Sequence, residues 1–396
     1  MFENLETLPP DPILGLSVAF REDASPDKVD LSVGVYKDRS GVTPVMAAVQ
    51  EAERALIEAQ LTKVYLPPAG APGFREGIYR LVMGDAEPAL RDRMGVVQAP
   101  GGCGALRLGA ELIHRASPAA VVLLSDPTWP NHGPLLSGGG LRLARHAYFD
   151  ASTRTLVLQP MLDALESAEA GTVVLLQASC HNPTGLDPDP DQWRAILDVI
   201  ASRRLVPFFD IAYQGLGDDL DADAWPIREA AARLPEILVA VSCSKSFGLY
   251  RERTGALLVL GEDGGRARAI ETQANRAARS MYSMPPGHGG LIVERILQDA
   301  ALEASWRQEL GKMAARLRGL RSAFASAVQS ARPGFDASWI TRQRGMFSLL
   351  GVAPEAVRRL REEDHLYMGF DSRINVAGLS EDNVGRVASL VAPHLQ

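Results

Sequence analysis

Ile237-Leu238-Val239-Ala240-Val241-Ser242-Cys243-Ser244-Lys245-Ser246-Phe247-Gly248, with Arg253 eight residues beyond the lysine, decides how the chain is read. The apolar run predicts a buried strand, and Lys245 follows just past its end. Lysine is rarely buried without a reason. Its amine can form a Schiff base with a carbonyl, provided some of it is neutral. The hydroxyls of Ser242 and Ser244 and the guanidinium of Arg253 suit a phosphate. Taken alone, the stretch reads equally well as a surface lysine in a strand-to-helix loop.

Four other segments bear on that choice. Leu205-Val206-Pro207-Phe208-Phe209 leads into Asp210-Ile211-Ala212-Tyr213. An acid at the carboxyl end of a strand stands where ligands bind in open α/β sheets. A carbonyl, a phosphate and such an acid together describe pyridoxal phosphate, whose pyridine nitrogen must stay protonated for the ring to act as an electron sink. A lone Asp there could also be a helix N-cap. Val173-Val174-Leu175-Leu176-Gln177 precedes Ser179-Cys180-His181-Asn182-Pro183-Thr184-Gly185, where Asn182 can donate to a phenolate-like oxygen or simply make a turn. Pro100-Gly101-Gly102-Cys103-Gly104 opens a helical pattern, and glycines there let backbone N–H groups approach an anion. Trp129, between Pro127 and Pro130, can lay its face on a planar cofactor or pack in the core.

Strand-like runs near 120–124, 173–177, 205–209, 237–241 and 255–260 alternate with helical segments such as 191–201. That order predicts an α/β fold with a mostly parallel sheet covered by helices. Thr43-Pro44 reads as a helix start, followed by Val45, Ala48, Val49, Ala52 and Leu56 at helical spacing. One long charged helix is expected over about 287–330, then strands near 347–350 and 373–376.

Composition describes a large globular chain: 396 residues, 46% hydrophobic, net charge −7. The acidic balance implies no basic face for nucleic acid. Cys103, Cys180 and Cys243 are too few and too scattered for a disulfide framework, which points to a reducing, cytoplasmic setting. No metal-ligand spacing is seen. Glu3, Glu6 and Pro9-Pro10 give no basic start and no apolar run, so neither a signal peptide nor a membrane span is expected.

With these motifs in this order, the chain resembles the class I, aspartate/aromatic-type aminotransferases of pyridoxal phosphate fold type I. The resemblance extends from Met1-Phe2-Glu3-Asn4 through Gly34-Val35-Tyr36-Lys37-Asp38 and Trp129-Pro130-Asn131-His132 to Gly345-Met346-Phe347-Ser348 and Ser372-Arg373-Ile374-Asn375. It implies a large cofactor-binding domain at 45–315, a smaller α/β domain at 13–44 plus 316–396, and an N-terminal arm at 1–12 lying on the other subunit of a homodimer. By the same resemblance, Lys245 would carry the cofactor and later move the substrate proton from Cα to C4′. Asp210 would pair with the pyridine nitrogen. Asn182 and Tyr213 would hold O3′, and Trp129 would stack on the ring. Gly102, Cys103, Ser242, Ser244 and Arg253 would hold the phosphate, with Tyr65 reaching in from the neighbouring subunit. Arg373 would clamp the substrate α-carboxylate with help from Asn182 and Gly34, since a guanidinium matches a carboxylate with two parallel hydrogen bonds. Arg279 would bind a distal carboxylate across the dimer interface.

Two residues depart from the family pattern. Cys103 stands where a Thr or Ser is usual, and a thiol is a weak donor. Gln177 stands where close relatives often carry a His that belongs to the network behind the pyridine-binding acid. A Gln can hydrogen-bond but cannot titrate.

The resemblance implies transfer of an amino group from tyrosine, phenylalanine or aspartate to 2-oxoglutarate, alternating between pyridoxal and pyridoxamine phosphate. A strict aspartate enzyme is the alternative. A β-lyase or decarboxylase on the same fold would have less need for Arg279. A non-catalytic ligand-binding module would usually carry an added DNA-binding segment, which is not seen.

Overall fold

Seven segments of the chain pair into one sheet: β1 (Met94–Pro100), β2 (Val121–Asp126), β3 (Arg142–Ala147), β4 (Val173–Gln177), β5 (Val206–Ile211), β6 (Ile237–Ser242) and β7 (Thr254–Leu260). Their order is β1-β7-β6-β5-β4-β2-β3. Only β7 runs against its neighbours, so the sheet is mostly parallel. The computed structural model describes residues 1–7, 12–84 and 88–395. It divides into two units: Met1–Val42 with Leu317–Arg342 and Met346–Gln396, and Thr43–Arg316 with Gln343–Gly345. The sheet lies wholly in the second.

Every residue of β4, β6 and β7 is buried, as expected when helices cover both faces of a sheet. Pro207 is tolerated in β5 because pairing with β6 begins one residue later, at Phe208. β1 and β3 escape the apolar reading for opposite reasons. β1 is buried but carries Gly95 and Gln98, and β3 is a sheet-edge strand with exposed residues.

The helices follow apolar periodicity, but their ends are set elsewhere. Helix α1 (Ala47–Ala59) begins after Met46, not at Thr43-Pro44. Its first amide, that of Ala47, donates to the Glu309 carboxylate at 2.9 Å, a cap supplied from 262 residues away. Helix α2 (Gly101–Ala116) presses on β5 so closely that a Cβ on Gly109 would enter the Phe208 ring. Overpacking there costs about 1–3 kcal/mol. Helix α3 (Pro190–Arg203) opens with a capping box from Asp189 and Gln192, and α4 (Leu220–Arg233) is capped by Asp219. After α5 (Gly264–Tyr282), the expected single helix is two, α6 (Gly287–Gln298) and α7 (Ala300–Ala331). Asp299 parts them, because its carboxylate accepts from Ala301 N at 3.0 Å and Leu302 N at 3.2 Å and so restarts the helix.

In the other unit, Val29–Asp30 pairs in parallel with Leu366–Tyr367, and Phe347–Leu349 pairs antiparallel with Arg373–Asn375. Leu31, Phe324, Trp339, Leu366 and Ile374 form its core. The arm expected over residues 1–12 falls partly on residues 8–11, which lie outside the described residues; Phe2–Asn4 is a short, exposed 3-10 turn.

Candidate active site

β4, β5 and β6 end in register, with Gln177 beside Asp210 and Asp210 beside Ala240. The antiparallel β7 begins at the same edge, Gly255 opposite Ser242 and Thr254 opposite Pro100. The topology therefore collects residues 100–103, 178–185, 210–213, 242–247 and 253 at the carboxyl end of the sheet. That is where an open α/β sheet offers a crevice.

On one side lies a set of donors. Arg253 adopts a left-handed φ of 52°, and its Nη1 donates to Tyr250 O at 2.9 Å. A Cβ on Gly101 would come 2.6 Å from Arg253 Nη2, and one on Gly102 would come 3.1 Å from Ser242 Cβ. Only glycines allow the guanidinium, Ser242 and the first turn of α2 to approach this closely. No side chain caps α2, and uncapped first-turn N–H groups of a helix suit an anion. Ser244 N donates to Ser242 Oγ at 3.3 Å. Cys103 is half-buried, with Asn131 Nδ2 3.9 Å from its sulfur.

On the other side stands Asp210, 7% exposed. His132, fully buried, places Nε2 3.1 Å from Asp210 Oδ2 and Nδ1 2.7 Å from Thr128 Oγ1. An ionised carboxylate only accepts, so Nε2 carries the hydrogen and Nδ1 takes the threonine's. The half-buried Trp129 stands edge-on to His132 at 5.3 Å between ring centroids. Lys245 is half-buried, and its Nζ lies 5.0 Å from the centroid of the buried Tyr213 ring. Asn182 is buried, and Gln177 grips its backbone from β4.

Two carboxylates brace the loops that present Asn182 and Tyr213. Asp187 accepts from Cys180 N at 2.7 Å and His181 N at 2.9 Å. Cys180 is left-handed (φ 56°), and Gly345 packs where any Cβ would strike it. Asp223 accepts from Gly215 N at 2.8 Å, Gly217 N at 3.0 Å and Asp218 N at 3.0 Å. Sequence reasoning missed both braces. It quoted His132 within a motif but assigned it no partner.

Arg279 and Tyr65 are exposed, Tyr65 at 88%. In the smaller unit, Gly34 and Arg373 meet at Phe347. A Cβ on Gly34 would lie 2.7 Å from Phe347 Cζ, and the Arg373 guanidinium sits 4.3 Å over that ring. Arg373 Nη2 also donates to Ser32 O at 3.1 Å.

Residues 26–391 match the family described as aminotransferase class I and II. The chain belongs to that family. It is 43% identical to the aromatic-amino-acid aminotransferase of Pseudomonas aeruginosa, over 99% of this chain and 98% of that protein. It is 42% identical to the aspartate aminotransferase of Haemophilus influenzae, over 97% of each. Its fold superposes on the aromatic-amino-acid aminotransferase of Burkholderia pseudomallei, described as covalently bound to pyridoxal phosphate. That match has a TM-score of 0.97 and 42% identity over 100% of both chains. In this aminotransferase fold no helix among the described residues is long and apolar enough to cross a membrane.

The braces give the aminotransferase a pH signature. Burial, working against three backbone amides, lifts the 3%-exposed Asp223 to about 7 from 3.8. Burial also lifts Asp187 to about 6. Between pH 3.8 and about 7 the folded chain thus holds more protons at these groups than the unfolded chain. Their contribution to stability falls as pH rises through that window. His181 and His146, lowered chiefly by burial, act oppositely below 6.5. The readout is therefore a difference between proteins. The loss of thermal midpoint between pH 5 and 8 should be smaller in Asp223→Asn than in the parent, by roughly 3 °C. Parallel curves would show that Asp223 does not titrate there.

Proposed function

We propose that the enzyme moves the amino group of tyrosine, phenylalanine or aspartate to 2-oxoglutarate, using pyridoxal phosphate. The observation that carries this reading is one sheet edge holding an amine (Lys245), a histidine-backed carboxylate (Asp210) and a glycine-lined guanidinium (Arg253). Those groups fit the cofactor. The glycines at 101 and 102 let Arg253 and Ser242 come close to the first turn of α2, so that these two, Ser244 and the amides of Gly102 and Cys103 would hold the phosphate. Cys103 contributes its backbone, because a thiol donates weakly. The buried Asp210 fits a cationic ring nitrogen. When bound, the cofactor supplies an electron sink for the bond broken at the substrate Cα.

Lys245 takes the proton at Cα. Asn182 and Tyr213 bind the phenolic oxygen, and Trp129 covers the ring. Arg373, beside Gly34 at Phe347, receives the α-carboxylate. The exposure of Tyr65 and Arg279 supports assigning both to the site of a second copy of the chain, in a homodimer where residues 1–12 form an arm. The larger unit takes the role of the cofactor domain and the smaller that of the small domain. The three scattered cysteines support a cytoplasmic enzyme.

Substrate choice turns on Arg279. Aspartate and 2-oxoglutarate present a second carboxylate to it; the aromatic donors do not. In half-reactions, Arg279→Ala should lower kcat/KM for aspartate and 2-oxoglutarate by about 10–100-fold, the loss of a charged hydrogen bond. Phenylalanine should lose less than about threefold. Equal losses would remove this assignment. The parent enzyme should use tyrosine and phenylalanine at least as well as aspartate. Aspartate alone as donor would establish the strict aspartate enzyme, a reading that the 42% identity to the Haemophilus influenzae protein also supports.

A further inference from the structure

Gln177 closes β4 beside Asp210, yet its side chain turns to a single residue of the next loop. Nε2 donates to Asn182 O at 3.0 Å, and Oε1 accepts from Asn182 N at 2.9 Å. A carboxamide carries a donor and an acceptor side by side, as the peptide edge of one residue does. The pair makes one extra rung of sheet-like bonding where β4 has ended. Both residues are buried, Gln177 at 9% and Asn182 at 4% exposure.

The surroundings explain why a neutral group suits the position. Ser125, His146, Tyr148 and His181 line a small cavity with Gln177. His181 stacks on Tyr148 at 4.0 Å and bonds Ser125 Oγ at 3.1 Å and Thr184 Oγ1 at 2.9 Å. Asp210 with His132 stands on one side, and Asp187 holds the turn on the other. Three imidazoles already crowd this region, and burial with their mutual repulsion keeps His181 neutral. A fourth titratable ring would gain nothing there and could let go on protonation.

We propose that Gln177 is a positioning residue whose two-bond clasp fixes the Asn182 backbone, and thereby aims the Asn182 amide at the cofactor's phenolic oxygen, by means of a group that does not titrate. This rests on the role proposed above for Asn182. Without the clasp, the buried N–H and C=O of Asn182 lose these two bonds, and the turn is held less firmly.

The test is a pH titration of the visible absorbance of the holoenzyme, for Gln177→Leu, Asn182→Ala and the double variant. Donation from Asn182 weakens the phenolic oxygen's hold on the neighbouring proton. Asn182→Ala should therefore raise the midpoint by about one unit, and Gln177→Leu by about half a unit. The double variant should match Asn182→Ala alone, because one residue acts through the other. Gln177→Leu should also lower kcat/KM for the amino donor about tenfold. Gln177→Met, closer in volume, serves if the leucine variant does not fold. An unmoved midpoint in Asn182→Ala removes the reading of Asn182, and this proposal with it. A moved midpoint in Asn182→Ala with none in either Gln177 variant overturns the clasp alone. So does a full additional shift in the double variant.

Discussion

Lys245→Ala loses the visible absorbance of the bound cofactor and nearly all turnover, by at least about 10⁴-fold, the upper range for a positioned acid–base group. The geometry makes the loss specific. β6 is buried along its whole length and rigidly delivers residues 243–247 to the edge of the sheet. Phe247, 1% exposed, stacks on Trp306 at 4.3 Å, and Trp306 Nε1 donates to Ser246 O at 2.8 Å. The lysine's neighbour is thus anchored independently of the lysine. The lysine side chain is half-buried, its Nζ 5.0 Å from the centroid of the Tyr213 ring. Truncation removes the amine and leaves the turn in place. The variant should fold with the parent's thermal midpoint in the apo form, and it should still take up the cofactor through Arg253, Ser242 and the α2 amides, with reduced affinity. Difference spectroscopy and a single-turnover assay read both quantities. A variant that keeps the absorbance and the turnover would show that another amine does the chemistry.

Legibility in the sequence followed burial. β4, β5, β6 and β7 are buried nearly throughout, so unbroken apolar runs marked them, and the polar residues closing the runs of β4, β5 and β6 marked the edge where Gln177, Asp210 and Ser242 stand. β1 was hidden because its Gln98, wholly buried, is satisfied by distant partners, Ala71 N at 3.1 Å and Pro286 O at 3.0 Å. β3 was hidden because an edge strand keeps its arginines in water. The start of α1 depends on Glu309, far along the chain, and no local reading of Thr43-Pro44 could find it. The same limit applied at the site. Lysine, aspartate, asparagine and arginine announced themselves by type and position. Their supports did not, since Asp187, Asp223 and His132 act through loop amides or across 78 residues of chain. Cys103 and Gln177 stood out only as departures from a pattern. The structure gives Gln177 a defined set of partners, and it gives Cys103 only a long approach from Asn131.

Asp210→Asn should lower kcat by at least about 10³-fold with little change in KM. A close carboxylate favours a cationic ring nitrogen by about 1–3 pKa units, and the amide that replaces it supplies no charge. The effect falls on the reacting group and not on substrate binding, which is why kcat carries it. The fold should tolerate the change. Asparagine matches aspartate in size, and its carbonyl can accept from His132 Nε2 as Oδ2 does now at 3.1 Å. His132→Asn is the comparison that separates charge from orientation. It leaves the carboxylate in place and removes the ring that holds it, so its loss should be smaller, about tenfold, and should not add fully to that of Asp210→Asn. Steady-state rates, with cofactor content measured on the same samples, decide between these. An Asp210→Asn enzyme that is fully loaded and within tenfold of the parent would show that the ring nitrogen needs no anion. A His132→Asn loss equal to that of Asp210→Asn would transfer the decisive role from the carboxylate's charge to its placement by the imidazole 3.1 Å away.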